Sequence, residues 1–108
     1  MKVAISVDDK QDSAPVSEVF GRCKIFALYD ISSKKLTYIE NPGVSQQRGA
    51  GILAAQTLID NKVEKVYCGN VGPNAENALT DGNIKVDIVI DKTVKDLITD
   101  FKKWKLLL

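Results

Sequence analysis

The sequence contains no histidine among its 108 residues. This absence excludes a Ser-His-Asp triad, a Cys-His nucleophilic pair and any zinc site with histidine ligands. Only two cysteines are present, Cys23 and Cys68, and in a reducing compartment they are expected to remain thiols. The chain therefore lacks the residues on which many hydrolytic and zinc-dependent mechanisms rest.

Long apolar runs and an excess of one charge are also missing. No run approaches the roughly 20 residues that a membrane-spanning helix needs. Lys and Arg number 15 against 14 Asp and Glu, which argues against the basic face of a nucleic-acid binder. Residues 1–5 are typical of a strand rather than a signal peptide, because polar residues follow at once. We expect a cytoplasmic protein with neither nucleic acid nor membrane as a partner.

What is present fits a single α/β domain over residues 1–108. Hydrophobic residues make up 44% of the chain, enough for a packed core. Apolar runs and turn signals predict five strands and three helices. The predicted strands are Lys2–Val7, Lys24–Asp30, Leu36–Glu40, Val63–Cys68 and Ile84–Ile90, and the helices begin at Ala50, at Pro73 and after Thr93.

Three weaker signals complete the secondary-structure prediction. The spacing of apolar residues predicts one helical turn over Pro15–Gly21. In the first helix the apolar stripe starts at Ile52, which we expect to face the core. The apolar tail from Trp104 to Leu108 is interpreted as a strand or coil packed over the sheet edge, or alternatively as a subunit contact.

The order of elements predicts the topology of the sheet. Strands two and three are joined by a short turn and form an antiparallel hairpin. The later strands alternate with helices, which requires parallel strands joined by right-handed crossovers. A three-layer α/β/α arrangement with a mixed sheet in the order 3-2-1-4-5, strand two antiparallel, satisfies both requirements.

This topology gathers several polar and small residues at the carboxyl edge of the parallel strands, where ligands bind on open α/β sheets. Cys68 ends strand four and Cys23 precedes strand two, so both thiols belong to this edge. The helix starts at Gly49–Gly51 and Gly72–Asn74 open there too, and helix N-termini favour anions. With Arg22, Lys24 and Arg48 nearby, the edge predicts a site for an anionic ligand with affinity for sulfur.

Two alternatives weigh against parts of this site. Cysteine is among the most frequently buried residues, so core packing is the favoured explanation for each thiol taken alone. Asp8 and Asp9 follow strand one and offer a carboxylate pair for a divalent metal, as in a hydrolase. Neighbouring residues at a strand end point in opposite directions, however, and no third carboxylate is placed to join them.

Five motifs stand in order and at characteristic spacings along the chain. They are residues 16–22 (VSEVFGR), Phe26, residues 40–42 (ENP), residues 49–51 (GAG) and residues 69–75 (GNVGPNA). Together the motifs resemble the dinitrogenase iron–molybdenum cofactor biosynthesis family, which includes NifX and the C-terminal domain of NifB. The resemblance extends to about Lys103. It implies a ribonuclease-H-like α/β/α fold with a mixed five-stranded sheet.

The resemblance also implies a function and a set of site residues. The function is to bind or carry an iron–sulfur or molybdenum-containing cluster, or its precursor, transiently during cofactor assembly, without catalysis. The matching cofactor-binding positions are Ser17, Gly21, Arg22, Gly49, Gly51, Gly69, Asn70, Gly72 and Asn74. Cys23 and Cys68 flank these motifs and are candidate metal ligands, half of a tetrahedral site that a second copy in a dimer could complete.

Two ways of holding such a cluster therefore remain open. The thiolates could ligate it, or backbone N–H groups and Arg22 could hold an anionic sulfido-metal cluster without covalent bonds. Cofactor-assembly proteins are expected partners, and a monomer or a weak homodimer is the expected state. The functional alternative is a regulatory module that binds a small anion or nucleotide at the same helix starts without metal.

Overall fold

The computed structural model describes residues 1–46 and 48–107, the last four of them by backbone alone. Its strands are β1 (Lys2–Val7), β2 (Ile25–Asp30), β3 (Lys35–Glu40), β4 (Lys65–Cys68) and β5 (Lys85–Ile88). Its α-helices are α1 (Ala50–Asp60), α2 (Pro73–Asp81) and α3 (Val94–Leu107), and short 3-10 turns lie at Phe20–Arg22 and Pro42–Ser45.

The five strands form one mixed sheet in the order β3-β2-β1-β4-β5. β2 is antiparallel to both of its neighbours, whereas β1, β4 and β5 run parallel. Val7 pairs with Ile25, so the start of β2 lies at the carboxyl edge of the parallel strands. The predicted strand order and the reversed direction of β2 are confirmed.

Helices cover both faces of this sheet. Alternate residues of β1 and β4, such as Ala4 and Val66, pack with Leu58 of α1 and Leu79 of α2. The other face of the sheet packs against α3, where the ring centroid of Phe101 lies 5.2 Å from that of Tyr67. The predicted three-layer α/β/α arrangement, the one expected of a ribonuclease-H-like fold, is therefore confirmed.

The start of α3 carries the capping pattern that the sequence predicts. The backbone N–H of Asp96 donates to Oγ1 of Thr93 at 3.1 Å, and the backbone N–H of Thr93 donates to the Asp96 carboxylate at 3.0 Å. These bonds hold the pKa of Asp96 below its ordinary value. The first turn of α3 is thus closed by its own side chains.

The predicted helical turn over Pro15–Gly21 is wrong. Pro15 forms an isolated antiparallel bridge with Thr93, and a 3-10 turn begins only at Phe20. The backbone of this segment bonds to other segments, because the N–H of Val16 donates to the carbonyl of Lys92 and that of Ser17 to the carbonyl of Ser6. Hydrogen bonds to other segments of the same protein therefore replace the local hydrogen bonds of a helix.

Two apolar positions also differ from prediction. Ile52 is 52% exposed, because the buried face of α1 consists of Ala50, Ala54, Ala55 and Leu58. The predicted fifth strand extends to Ile90, but β5 ends at Ile88 and Ile90 is 76% exposed. Small alanine side chains let α1 approach the sheet closely and leave Ile52 on the outside.

The chain end differs from prediction in its backbone. α3 continues to Leu107, so the predicted strand or coil for the tail is wrong for residues 104–107, and Leu108 lies outside the described residues. The alternative of a subunit contact concerns side chains that are also outside them. Within the described residues, no helix combines the length and the apolar character needed to cross a membrane.

Candidate functional site

The segment from Ser17 to Arg22 crosses the ends of β1 and β4 and is fixed there by backbone hydrogen bonds. The N–H of Gly69 donates to the carbonyl of Ser17 at 3.0 Å, and the N–H of Phe20 donates to the carbonyl of Asn70 at 2.9 Å. A Cβ on Gly69 would lie 2.8 Å from the Cα of Glu18. Only glycine permits this approach, so the two motifs are held together by their backbones.

A small cleft lies between the starts of α1 and α2. Its cavity volume is about 250 Å³. Six of the predicted binding residues line it, namely Gly21, Arg22, Gly49, Gly51, Gly72 and Asn74. We call it the glycine cleft. The grouping of these residues, which come from three separate motifs, agrees with the sequence prediction of a shared site.

Close backbone contacts between these motifs form the walls of the glycine cleft. A Cβ on Gly21 would lie 3.0 Å from the backbone N and Cα of Gly51, and one on Gly51 would lie 2.7 Å from the Cβ of Ala75. Gly49 has a φ of 71°, which disfavours other residues. Packing or conformation therefore explains glycine at all three positions.

Gly72 is different from these three. Its φ of −73° and ψ of 162° suit any residue. Apart from its two chain neighbours, no described residue has an atom within 4 Å of the position that a Cβ would take. Neither backbone strain nor packing requires glycine here. Because Gly72 lines the glycine cleft, the absence of a side chain leaves the backbone at the start of α2 open to a ligand.

The electrostatics of the glycine cleft favour an anion. The N-cap residues of α1 and α2 are Gly49 and Gly72, which offer no side chain to cap the helix, in contrast to the capped α3. The N–H groups of two first turns therefore line one cavity with their partial positive charge. Arg22 supplies a full positive charge at its wall and is the sole ionisable lining residue among those described.

Arg22 is exposed yet positioned by other segments. Its Nη1 donates to the carbonyl of Gln46. The residues on either side of Arg22 are tied to Asn41, whose amide donates to the carbonyls of Gly21 at 3.3 Å and of Cys23 at 2.8 Å. The carbonyl of the Asn41 side chain accepts from the N–H of Gly43 at 2.9 Å. Asn41 is 1% exposed, so this anchor is buried.

A second, larger cleft adjoins the first and shares Val19 and Arg22 with it. We call it the strand-end cleft, and its cavity volume is about 880 Å³. The other predicted binding residues, Ser17, Gly69 and Asn70, line it. Its ionisable lining residues are Asp8, Asp9, Glu18, Asp91, Arg22 and Lys92. Four carboxylates against two cations make this cleft unfavourable for an anion.

The two candidate metal ligands lie in the core. Cys23 and Cys68 are both 0% exposed and belong to one buried cluster. Burial raises the pKa of the Cys23 thiol to about 11. Burial, with the charge of Cys23 as a second cause, raises the pKa of the Cys68 thiol to about 11. Both side chains are protonated at neutral pH, whereas metal ligation requires the thiolate.

Ligation of metal by these thiols stays a prediction, and their burial argues against it. Among the described residues, no three His, Cys, Asp or Glu side chains are placed to share one metal ion. The carboxylate of Asp8 accepts a hydrogen bond from the backbone N–H of Lys24 at 3.0 Å. The geometry therefore lends no support to the hydrolase alternative, which needs clustered carboxylates.

Sequence reasoning missed three residues of this region. The sequence places Asn41 in the motif of residues 40–42 without a role of its own, although an asparagine between a strand and Pro42-Gly43 is suited to bonding several backbone groups. The sequence predicts Val19 within a helical turn and Ile52 on a core-facing stripe, but they are 44% and 52% exposed and line the glycine cleft. No signal in the sequence distinguishes these two from core residues.

Comparison with known proteins gives a consistent picture. Residues 1–103 match the family model described as dinitrogenase iron–molybdenum cofactor. The apo form of the orange protein from Desulfovibrio gigas has a TM-score of 0.89 and 28% identity, over 96% of this chain and 88% of that one. No curated protein sequence matches significantly.

A second solved structure supports the same relationship. It is the NMR structure of a Thermotoga protein of the DUF35 family, provisionally described as NifB. Its TM-score is 0.81 and its identity 32%, over 94% of this chain and 87% of that one. Both likenesses extend over nearly the whole chain.

Proposed function

Because the chain belongs to the dinitrogenase iron–molybdenum cofactor family, we propose that it binds an anionic metal–sulfur cluster, or a precursor of one, in the glycine cleft. The role is that of a non-enzymatic carrier in cofactor assembly. The cargo is held by the N–H groups of two helix starts and by Arg22, without covalent ligands from the protein. Assembly proteins that deliver or receive the cargo are the corresponding partners.

The observation that carries this proposal is the pairing of two uncapped helix starts around one cavity. An unpaired N–H group gains most from an acceptor that carries negative charge. Two first turns and a guanidinium supply such donors from several directions, which suits a compact polyanion with acceptor atoms on all sides. The acidic strand-end cleft disfavours the same ligand, so the glycine cleft is the preferred place.

Weak, non-covalent holding is consistent with a carrier. A cluster fixed by four thiolates would leave the protein only after ligand exchange, whereas a cargo held by hydrogen bonds and one cation can be released directly. The burial of both cysteines supports non-covalent holding over thiolate ligation. In this proposal Cys23 and Cys68 pack in the core, and the glycine cleft binds the cargo.

The test is anaerobic binding of tetrathiomolybdate, a soluble sulfido-metal anion. Wild type, Arg22→Gln and the double variant Cys23→Ala/Cys68→Ala are brought to equilibrium with the anion by anaerobic dialysis and analysed for protein-bound molybdenum. We expect wild type and the double cysteine variant to retain similar amounts and Arg22→Gln to retain less. Loss of molybdenum from the cysteine variant, with its fold intact by circular dichroism, would instead indicate thiolate ligation.

A thermal-shift screen separates this function from the metal-free alternative. A ligand that binds only the native state raises the apparent melting temperature. Tetrathiomolybdate is expected to do so, and nucleotides are not, because a cavity of about 250 Å³ is below the roughly 300–1,000 Å³ of typical ligand pockets. Stabilisation by nucleotides alone would favour a nucleotide-binding regulatory module.

A further inference from the structure

The glycine cleft carries two apolar side chains that the proposed function does not use. Val19 precedes the 3-10 turn that holds Arg22, and Ile52 lies in the first turn of α1. Both line the cleft, and both are about half exposed, at 44% and 52%. Neither belongs to the buried clusters of the fold. They place apolar surface, which water solvates poorly, beside the N–H groups and Arg22.

The apolar side chains of Val19 and Ile52 affect which anions the cleft binds. Oxygen-terminated anions such as molybdate, sulfate and phosphate are strongly hydrated, and contact with an aliphatic side chain removes part of that hydration without replacing it. Sulfur-terminated anions are larger, softer and more weakly hydrated, so the same contact costs them less. N–H donors and a guanidinium attract both kinds of anion. The side chains of Val19 and Ile52 discriminate between the two kinds of anion.

We propose that Val19 and Ile52 are specificity-determining residues that select sulfur-terminated over oxygen-terminated metalates. The inference rests on the proposed function, since it assumes that the anion occupies the glycine cleft. It assigns binding energy to the N–H groups and Arg22, and selectivity to the two aliphatic side chains.

The test compares two probes of the same charge and geometry, tetrathiomolybdate and molybdate. Dissociation constants of wild type are measured anaerobically for both by equilibrium dialysis. The double variant Val19→Thr/Ile52→Thr keeps the β-branching of both side chains and replaces a methyl group of Val19 and the ethyl group of Ile52 with a hydroxyl. We expect wild type to prefer tetrathiomolybdate and the variant to lose about tenfold of that preference, because one changed group in an apolar contact typically shifts discrimination by about that factor.

A matched control separates this effect from a general change of the surface. Val44 and Ile88 are 41% and 48% exposed, close to the values of the tested pair, and line neither cleft. Val44→Thr/Ile88→Thr is expected to keep the wild-type preference. Melting temperatures of both double variants show whether either substitution affects the fold.

Each outcome has one meaning. Loss of preference in Val19→Thr/Ile52→Thr that comes mainly from tighter molybdate binding, with the control unaffected, supports the inference. Equal binding of both anions by wild type, or a preference that survives in the variant, overturns the inference and leaves the proposed function standing. Failure of wild type to bind either anion overturns the proposed function itself.

Discussion

Gly51 and Ala75 are packed so closely that a Cβ on Gly51 would lie 2.7 Å from the Cβ of Ala75. The first residue lies in the first turn of α1 and the second in the first turn of α2. Their contact therefore holds two helix N-termini side by side. The positive ends of both helices face one cavity because this pair lets them approach.

The contact predicts a stability effect for Gly51→Ala. We expect the free energy of unfolding to fall by about 1–2 kcal/mol, since overpacking costs about 1–3 kcal/mol and the better helix propensity of alanine offsets up to about 1 kcal/mol. Urea denaturation measures the change. In an Ala75→Gly background the methyl group that causes the clash is gone, so Gly51→Ala should cost less there. An equal cost in both backgrounds would show that the two residues are not coupled.

Gly72→Ser is expected to separate stability from binding. Serine caps a helix better than glycine by a few tenths of a kcal/mol, and the backbone at this position accommodates it. Its hydroxyl would accept a hydrogen bond from the first turn of α2 and so compete with the ligand. We expect a slightly higher melting temperature and weaker retention of tetrathiomolybdate.

Gly72→Ala serves as the comparison for that variant. It adds a Cβ without an acceptor, so binding should weaken less than in Gly72→Ser, and the melting temperature should not rise. If both variants bound tetrathiomolybdate like wild type, the start of α2 would not contact the ligand.

Arg22 is expected to contribute charge and directed hydrogen bonds to binding. Arg22→Gln removes the charge and should weaken tetrathiomolybdate binding by about tenfold, in the range of one charge-assisted hydrogen bond. Arg22→Lys keeps the charge but lacks the planar guanidinium, so it should restore part of the affinity. The dependence of wild-type affinity on salt should be larger than that of Arg22→Gln.

Arg48 provides the control for Arg22. It is exposed, lies just before α1 and lines neither cleft. Arg48→Gln changes the net charge of the protein by the same amount, and we expect near wild-type affinity. Equal losses in Arg22→Gln and Arg48→Gln would mean that general attraction, and not a specific contact, governs binding.

The buried thiols predict a loss of stability in alkali. Burial raises the pKa of both Cys23 and Cys68 from 9.0 to about 11, so the unfolded chain loses these protons at lower pH than the folded one. The stabilising contribution is complete below pH 9 and is lost as the pH rises through about 11. Urea denaturation at several pH values should therefore show a steeper alkaline fall for wild type than for Cys23→Ala/Cys68→Ala. If the free energy of unfolding fell equally with pH in both proteins, the raised pKa values of the two thiols would be contradicted.

Much of the fold follows from local patterns in the sequence. Apolar runs such as Lys2–Val7 identify the central strands, and the Thr93–Asp96 pattern identifies the start of α3, because burial and capping act through nearby residues. The extended path of Pro15–Ser17 could not be predicted in this way. It depends on hydrogen bonds to the carbonyls of Ser6 and Lys92, which are distant in sequence.

The candidate site was predictable in position but not in detail. Strand direction alone brings the motifs to one edge of the sheet. The separation into an anion-favouring glycine cleft and an acidic neighbour depends on contacts such as Gly21 with Gly51 and Gly69 with Glu18. The buried sulfur of Cys23 likewise lies 3.6 Å from the side-chain amide of Asn41. Such pairwise contacts leave no periodic signal in a single sequence.

The central claim is that the anion occupies the glycine cleft and contacts the backbone of both helix starts. An anaerobic titration of ¹⁵N-labelled protein with tetrathiomolybdate, followed by ¹H–¹⁵N correlation spectra, tests it most directly. The account predicts the largest shift changes at the amides of residues 50–52 and 74–76 and at Arg22. Changes concentrated around Cys23 and Cys68, or among the acidic residues of the strand-end cleft, would contradict it.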